Sequence, residues 1–509
     1  MRGTMPHPAP SPHDPIAWIE AVTAIDPDRL FLVAPAGPSL SYGALLDEVA
    51  RLAGALAALG VTPGDRVAVQ VEKSPRALAL YLACLWLGAV HMPLNSGYTA
   101  AELDYFVEDA APALFVADPA RVATIPAGPR VVTLDAEGAG GLAQALAAAE
   151  PLPRGRFAPD TLAAMLYTSG TTGRPKGAML TRGNLASNAA TLVDAWRFTR
   201  DDRLLHALPI FHVHGLFVAT NTVLAAGAAM LFLPRFDAAE LLALFPRATV
   251  LMGVPTFYTR LLQQPGLSPA AVAGMRLFVS GSAPLLAETH RAFADATGHA
   301  ILERYGMTET GMNSSNPYDG ARIPGTVGPP LPGVDLRVVD PESGTALPAD
   351  AVGMIEVRGP NVFTGYWNKP EKTAEDMRSD GFFITGDLGK LDAAGYLHIV
   401  GRGKDLIISG GFNVYPKEVE SEIDALSGVV ESAVIGVPHP DFGEAVVALV
   451  VAEPGIAPDP QAMLATLSGR LAKYKLPKAI LIVPELPRNT MAKVQKALLR
   501  ETHRALFVA

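Results

Sequence analysis

Between Leu46 and Leu59 the apolar positions recur at helical spacing and stop at Gly60, so the pattern predicts a helix. A turn at Pro63-Gly64-Asp65 leads into the β-rich run Arg66–Val71. The apolar run Ala77–Val90 follows and holds the single cysteine, Cys84. It is shorter than the ~18–20 residues a membrane span needs, so it predicts a buried core helix. Further short apolar runs alternate with helical ones: Ala113–Ala117, Val131–Leu134, Ala163–Tyr167, Ala229–Leu233, Val250–Met252 and Leu277–Val279. Such alternation predicts parallel sheets covered by helices.

The pattern changes near residue 325. Asp335–Val339, Gly353–Arg358, Gly395–Val400 and Leu406–Ile408 are short β segments separated by Gly and Pro. The last hundred or so residues predict a helix over Pro416–Ala425, strands over Val429–Gly436 and Ala445–Val451, and a helix near Pro460–Leu471. The fold class predicted is α/β: a large N-terminal region of mixed and parallel sheets layered with helices, and a small α+β C-terminal domain. The boundary is placed in the polar turn Gly401-Arg402-Gly403-Lys404-Asp405, giving regions 1–401, 402–405 and 406–509.

Composition narrows the classes. At 509 residues the prior is roughly three folding units. Half the chain is hydrophobic and 18% is charged, which excludes general disorder. A net charge of −9 disfavours nucleic acid as the main partner. One cysteine excludes an internal disulfide framework and a multi-thiolate zinc site. The stretch Met1–Pro15 has several prolines and no apolar signal core, so the expected location is the cytoplasm and no membrane partner is expected.

Four stretches carry candidate chemistry. The run Tyr167-Thr168-Ser169-Gly170-Thr171-Thr172-Gly173-Arg174-Pro175-Lys176-Gly177 gathers hydroxyls, glycines and a lysine after a predicted strand. Glycines allow close backbone approach, hydroxyls and N–H groups donate, and Lys176 adds charge, which suits a phosphate. It is not a Walker A loop, because Pro175 stands where that motif needs Gly. In Arg304-Tyr305-Gly306-Met307-Thr308-Glu309-Thr310, Glu309 suits Mg2+ and Tyr305 suits stacking on a base, although an ordinary strand-to-loop turn fits this stretch equally well. The third comprises Gly381–Asp387, Gly401–Asp405 and Gly410-Gly411-Phe412-Asn413-Val414-Tyr415-Pro416, where Asp387 has the chemistry to accept from ribose hydroxyls. The fourth is Pro487-Arg488-Asn489-Thr490-Met491-Ala492-Lys493-Val494-Gln495-Lys496.

In their order and spacing these four resemble the adenylate-forming superfamily, which includes acyl-CoA synthetases, firefly-type luciferases and peptide-synthetase adenylation domains. The resemblance runs from about residue 20 to 505. It implies ATP, Mg2+ and coenzyme A as cofactor and co-substrates, and a C-terminal domain that swings between two half-reactions. It puts Thr168, Ser169, Gly170, Thr171, Thr172, Gly173 and Lys176 on the triphosphate. Tyr305, Gly306 and Met307 fall in the adenine loop, Thr308 by the α-phosphate and Glu309 on Mg2+. Asp387 and Arg402 meet the ribose, Lys404 matches the hinge, and Gly410, Gly411 and Phe412 line the pantetheine tunnel. Lys493 matches the catalytic lysine of adenylation, a residue acetylated by a protein lysine acetyltransferase in relatives. Ala492 stands where the family usually has glycine.

The acyl pocket is expected from Pro209–Gly215, Val279–Pro284 and Met307. Histidines and serines there suit a short diacid, whose second carboxylate must be paired when buried. The stretches Phe211–Leu216, Gly253–Tyr258, Ser280–Leu286, Glu303–Pro317 and Gly410–Glu418 resemble the malonyl-CoA synthetase branch, which implies malonate, with methylmalonate tolerated. His212, Ser282 and Arg291 are the residues expected at the distal carboxylate. The alternative is a ligase for a short- or medium-chain fatty acid or another carboxylic acid. A carrier-loading domain is disfavoured because no attachment site follows Lys493, and a hydrolase because Ser282 lacks the glycine two residues earlier.

Overall fold

The computed structural model describes residues 14–35, 39–168, 175–409, 412–489 and 493–507. It divides into two compact units: Met1–Leu336 with Val357–Phe383, and Arg337–Glu356 with Ile384–Ala509.

The first unit holds two sheets, as the alternating runs predict. One has the strand order Gly311–Ser315, Leu302–Met307, Leu277–Ser280, Val250–Gly253, Arg203–His206, Ala229–Phe232, Leu30–Val33, Ser39–Ser41. Its interior pairs are parallel, and both end pairs are antiparallel. The other runs Gly365–Tyr366, Lys176–Thr181, Leu162–Thr168, Val90–Pro93, Arg66–Gln70, Leu114–Ala117, Arg130–Thr133. Parallel strands buried on both faces need helices on both sides.

The Cys84 helix is one such cover. It spans Pro75–Leu87, and every residue from Ala77 to Leu87 is buried. Ser74 Oγ accepts from the Ala77 N–H, and Pro75 opens the first turn. Gly88 ends it at φ +83, where a Cβ would stand 2.2 Å from the Phe157 ring, so both conformation and space require glycine. Among the described residues no helix is long and apolar enough to cross a membrane.

The second unit also holds two sheets. Asp335–Val339, Gly353–Arg358, Phe383–Leu391 and Leu397–Arg402 form one. Phe412–Val414, Ile407–Ser409, Gly443–Ala452 and Val429–His439 form the other, with Ala479–Val483 added parallel to Gly443–Ala452. The division by contact density crosses the first of these sheets, whereas the 402–405 turn falls inside this unit.

Candidate active site

The phosphate-loop stretch is an antiparallel hairpin, with Thr168 opposite Lys176. Its tip, including Ser169, Gly170, Thr171, Thr172 and Gly173, lies outside the described residues, but both flanks are defined. The Tyr105 hydroxyl donates to the Pro175 carbonyl at 2.7 Å, and Tyr167 donates to Asp109 Oδ2 at 2.6 Å. Lys176 is 8% exposed. Its Nζ lies 3.8 Å from Asp376 Oδ2 and 4.3 Å from the centroid of the Tyr366 ring. Burial pushes the Lys176 ammonium below its ordinary value, while Asp376 opposes that shift.

Glu309 is brought to the same place. The strand Leu302–Met307 turns back antiparallel into Gly311–Ser315, with a bulge between Tyr305 and Gly306. Gly306 is needed there, because a Cβ would stand 2.0 Å from the Gly311 carbonyl oxygen. The turn presents Thr308 and Glu309. Glu309 is buried, and its Oε1 accepts the hydroxyls of Thr168 and Tyr366, each at 3.2 Å. An oxygen-rich group with one buried carboxylate suits Mg2+, which needs few protein ligands when phosphates supply the others. No cluster of three or more His, Cys, Asp or Glu fit for a metal occurs among the described residues.

Segments expected to hold the acid come together near this turn. A small cavity is lined by Asn188, Val213, Phe217, Thr308, Gly311 and Asn361. Val213 precedes the π-helical turn His214–Thr220. The His214 N–H donates to His212 Nδ1 at 3.2 Å, and Ser282 Oγ lies 3.2 Å from His214 Nδ1. Ser282 has φ +70, a left-handed conformation costly for a residue with a side chain. Burial, reinforced by Arg304 and His212, pushes the His214 imidazolium far below its ordinary range, so His214 is neutral.

Arg291 stands exposed on the helix Ala287–Thr297, whose buried face is Thr289, His290, Phe293 and Thr297. About 100° and 200° round the helix from His290 and Thr289, Arg291 falls on the solvent face, so the expectation that it meets the distal carboxylate is not met by this geometry.

The second unit carries the remaining candidates. Asp387 and Arg402 are opposite one another in an antiparallel ladder, with Arg402 Nε 3.2 Å from Asp387 Oδ1. Asp387 is 5% exposed, and its N–H donates to Thr385 Oγ1. Lys404 lies in the short turn Gly403–Asp405, where burial and the nearby Arg402 lower its ammonium. Asp405 accepts from Arg500 Nη1 at 2.7 Å. Phe412 is exposed and stacks on Tyr474 with ring centroids 4.8 Å apart. Gly410, Gly411 and Ala492 lie outside the described residues. Lys493 is half-buried and closes a hairpin: its N–H donates to Asn489 Oδ1 at 3.0 Å, and its carbonyl accepts from Asn489 N at 2.9 Å.

Tyr366 and Asp376 are additions that the sequence reading did not assign to the site, whereas His214 lay within the expected Pro209–Gly215 segment. Tyr366 belongs to a strand of only two residues, which leaves no periodic signal.

A family model described as AMP-binding enzyme matches residues 19–367, and one described as AMP-binding enzyme C-terminal domain matches 418–493. A feruloyl-CoA synthase of Amycolatopsis sp is 38% identical over 91% of this chain and 94% of its own length. A malonate–CoA ligase of Arabidopsis thaliana is 34% identical over 93% of this chain and 86% of its own. Among solved structures, ATP-bound MatB from Rhodopseudomonas palustris is 58% identical with a TM-score of 0.94, covering 96% of this chain and 99% of that one.

Proposed function

We propose malonate as the acid of this enzyme, on the premise that the chain belongs to the AMP-binding enzyme family and is an acid–CoA ligase of the adenylate-forming kind. The products are malonyl-CoA, AMP and pyrophosphate, with methylmalonate accepted where a methyl fits. The observation that carries this reading is the polar acyl end. Ser282, held at φ +70, sets its hydroxyl 3.2 Å from the buried His214 beside the Thr308 turn. An aryl or long-chain acid would set this polar pair, with its unpartnered His214 Nε2, against an apolar surface. A second carboxylate gives the Ser282 hydroxyl an acceptor.

The chemistry needs activation because a carboxylate is a poor electrophile. The acid attacks the α-phosphorus of ATP, and pyrophosphate departs. Lys176 and the hydroxyls of the hairpin bind the triphosphate, and Thr308 donates near the α-phosphate. Glu309, with Thr168 beside it, would hold Mg2+, which when bound neutralises phosphate charge. Asp387 takes the ribose hydroxyls, with Arg402 fixing its carboxylate. Lys493 stabilises the charge that builds during adenylation. The coenzyme A thiol then displaces AMP from the mixed anhydride, with Phe412 and the glycines before it lining the thiol's approach.

These two steps ask for different groups around one acyl phosphate, because attack is at phosphorus in the first and at the carbonyl carbon in the second. We assign regions 1–401 to ATP and acid binding, 402–405 with Lys404 to the hinge, and 406–509 to the moving part. The test is AMP release dependent on coenzyme A across C2–C10 mono- and diacids. Malonate is expected to give the highest kcat/KM. A higher value for acetate, octanoate or ferulate refutes it, and ADP in place of AMP refutes the mechanism.

A further inference from the structure

Two helix side chains reach the phosphate hairpin from outside it. The helix Ala100–Ala110 opens at a capping box, Thr99 with Glu102, and buries Leu103, Phe106, Val107 and Ala110. Tyr105 and Asp109 stand four residues apart, so they share one side of it. The Tyr105 hydroxyl donates to the Pro175 carbonyl at 2.7 Å, and Asp109 Oδ2 accepts the Tyr167 hydroxyl at 2.6 Å. Phe106 lays its ring against Tyr167, with centroids 4.5 Å apart.

Each bond falls one residue before a group assigned to the triphosphate. Tyr167 precedes Thr168, and Pro175 precedes Lys176; Thr168 and Lys176 are themselves register partners. Successive side chains of a strand point to opposite faces. Tyr167 therefore turns to the helix while Thr168 turns to Glu309, whose Oε1 accepts its hydroxyl at 3.2 Å. The helix thus holds both flanks of the hairpin, each next to a side chain on the ligand's side.

Asp109 does not serve the helix itself. A carboxylate in the last turn meets the negative end of the helix dipole, which disfavours it. Other groups secure that end. Arg66 donates to the Ala110 and Ala111 carbonyls at 2.8 Å and 2.9 Å, and Trp367 Nε1 and Asn368 Nδ2 donate to the Asp109 carbonyl at 3.1 Å and 3.2 Å. Burial and then the bond to Asp109 push the Tyr167 phenol up, so it stays protonated and keeps donating.

We propose that Asp109 and Tyr105 are positioning residues for ATP: they fix the flanks of the hairpin so that Thr168 and Lys176 meet the triphosphate in one arrangement. This rests on the reading of the hairpin as the triphosphate site. Groups fixed before binding lose less freedom on binding, so the effect falls on the affinity for ATP. The second half-reaction starts from an acyl-adenylate, which carries no β- or γ-phosphate, so it does not call on these two side chains.

The experiment takes the acid ranked first in the C2–C10 panel. It measures KM for ATP in pyrophosphate release, and the rate of acyl-CoA formation from the preformed adenylate of that acid. Asp109→Ala is expected to raise KM for ATP about tenfold, the size of one lost charged hydrogen bond, with kcat within about twofold. Asp109→Asn keeps an acceptor for Tyr167 and should bring KM back to within about threefold of wild type. Tyr105→Phe keeps the ring and loses a neutral bond, for a rise of about threefold. In all three the rate from the adenylate should stay within about twofold of wild type. If Asp109→Ala does not fold, Tyr105→Phe, which removes a single hydroxyl, gives the reading. Equal losses in the two assays, or an unchanged KM for ATP in the folded Asp109→Ala or Tyr105→Phe variant, overturn the positioning role. Lys176→Ala separates that failure from the other: an unchanged KM for ATP there overturns the reading of the hairpin as the triphosphate site.

Discussion

The Tyr366 hydroxyl donates to Glu309 Oε1 at 3.2 Å, and the same tyrosine lays its ring 4.3 Å from Lys176 Nζ. One side chain thus holds the carboxylate assigned to Mg2+ and the ammonium assigned to the triphosphate. Tyr366→Phe keeps the ring against Lys176 and removes the hydrogen bond. A bond to a charged group contributes about 1.5–3 kcal/mol, so the variant is expected to need roughly tenfold more Mg2+ for half-maximal pyrophosphate release. An unchanged Mg2+ dependence would detach Tyr366 from that carboxylate's function.

Asp387 is fixed from both ends, by its N–H to Thr385 Oγ1 at 3.1 Å and by Arg402 Nε at 3.2 Å from Oδ1. A carboxylate so held is ready to accept from two ribose hydroxyls. Asp387→Asn is expected to raise KM for ATP about tenfold, the size of one lost charged hydrogen bond. It should also lose preference for ATP over 2′-deoxy-ATP. If both nucleotides suffer equally, the residue holds its sheet together and does not read the ribose.

Asp424 gives the second unit a pH-dependent stability. Burial raises its carboxyl from 3.8 to about 6, against the pull of the Ser432 hydroxyl at 2.6 Å. Between these values the folded chain holds a proton that the unfolded chain has released. Stability therefore falls as pH rises from about 4 to 6, and the cost persists above. Asp424→Asn should flatten that slope and add about 1–3 kcal/mol at pH 7, with little change at pH 4, read by denaturant unfolding. A parallel loss at both pH values would show that the side chain's bond to Ser432 matters in either protonation state, and not its charge.

The strands and helices were legible as periodic or continuous apolar runs. Val250–Met252 and Leu277–Val279 are continuous runs, buried throughout, and Pro75–Leu87 opens after Ser74 and closes at Gly88. The flanks of the Tyr167–Gly177 hairpin and the Glu309 turn stood out as polar groups concentrated in few residues, and the structure brings Thr168 and Glu309 together. Partners far apart in sequence were not legible as pairs. Tyr366 reaches Glu309 through a two-residue strand with no period to read. Arg291 and Arg304 look alike in sequence, and only burial separates them: one is exposed on a helix, while the other lies over a glycine whose missing Cβ makes its space.

Lys493 offers the sharpest separation of the two half-reactions. Its backbone closes the hairpin through Asn489, at 3.0 Å and 2.9 Å, so Lys493→Ala removes the ammonium and leaves the closure intact. Loss of one positioned electrostatic group in a transition state costs about 10²–10³-fold. Pyrophosphate release with malonate and ATP is expected to fall by at least that factor. Malonyl-CoA formation from preformed malonyl-adenylate should stay within about threefold, because thiol attack at the carbonyl builds no new charge at phosphorus. Acetylation of Lys493 removes the same charge and should copy the first effect without the second. Equal loss in both assays would take Lys493 out of adenylation and make it a general support of the domain.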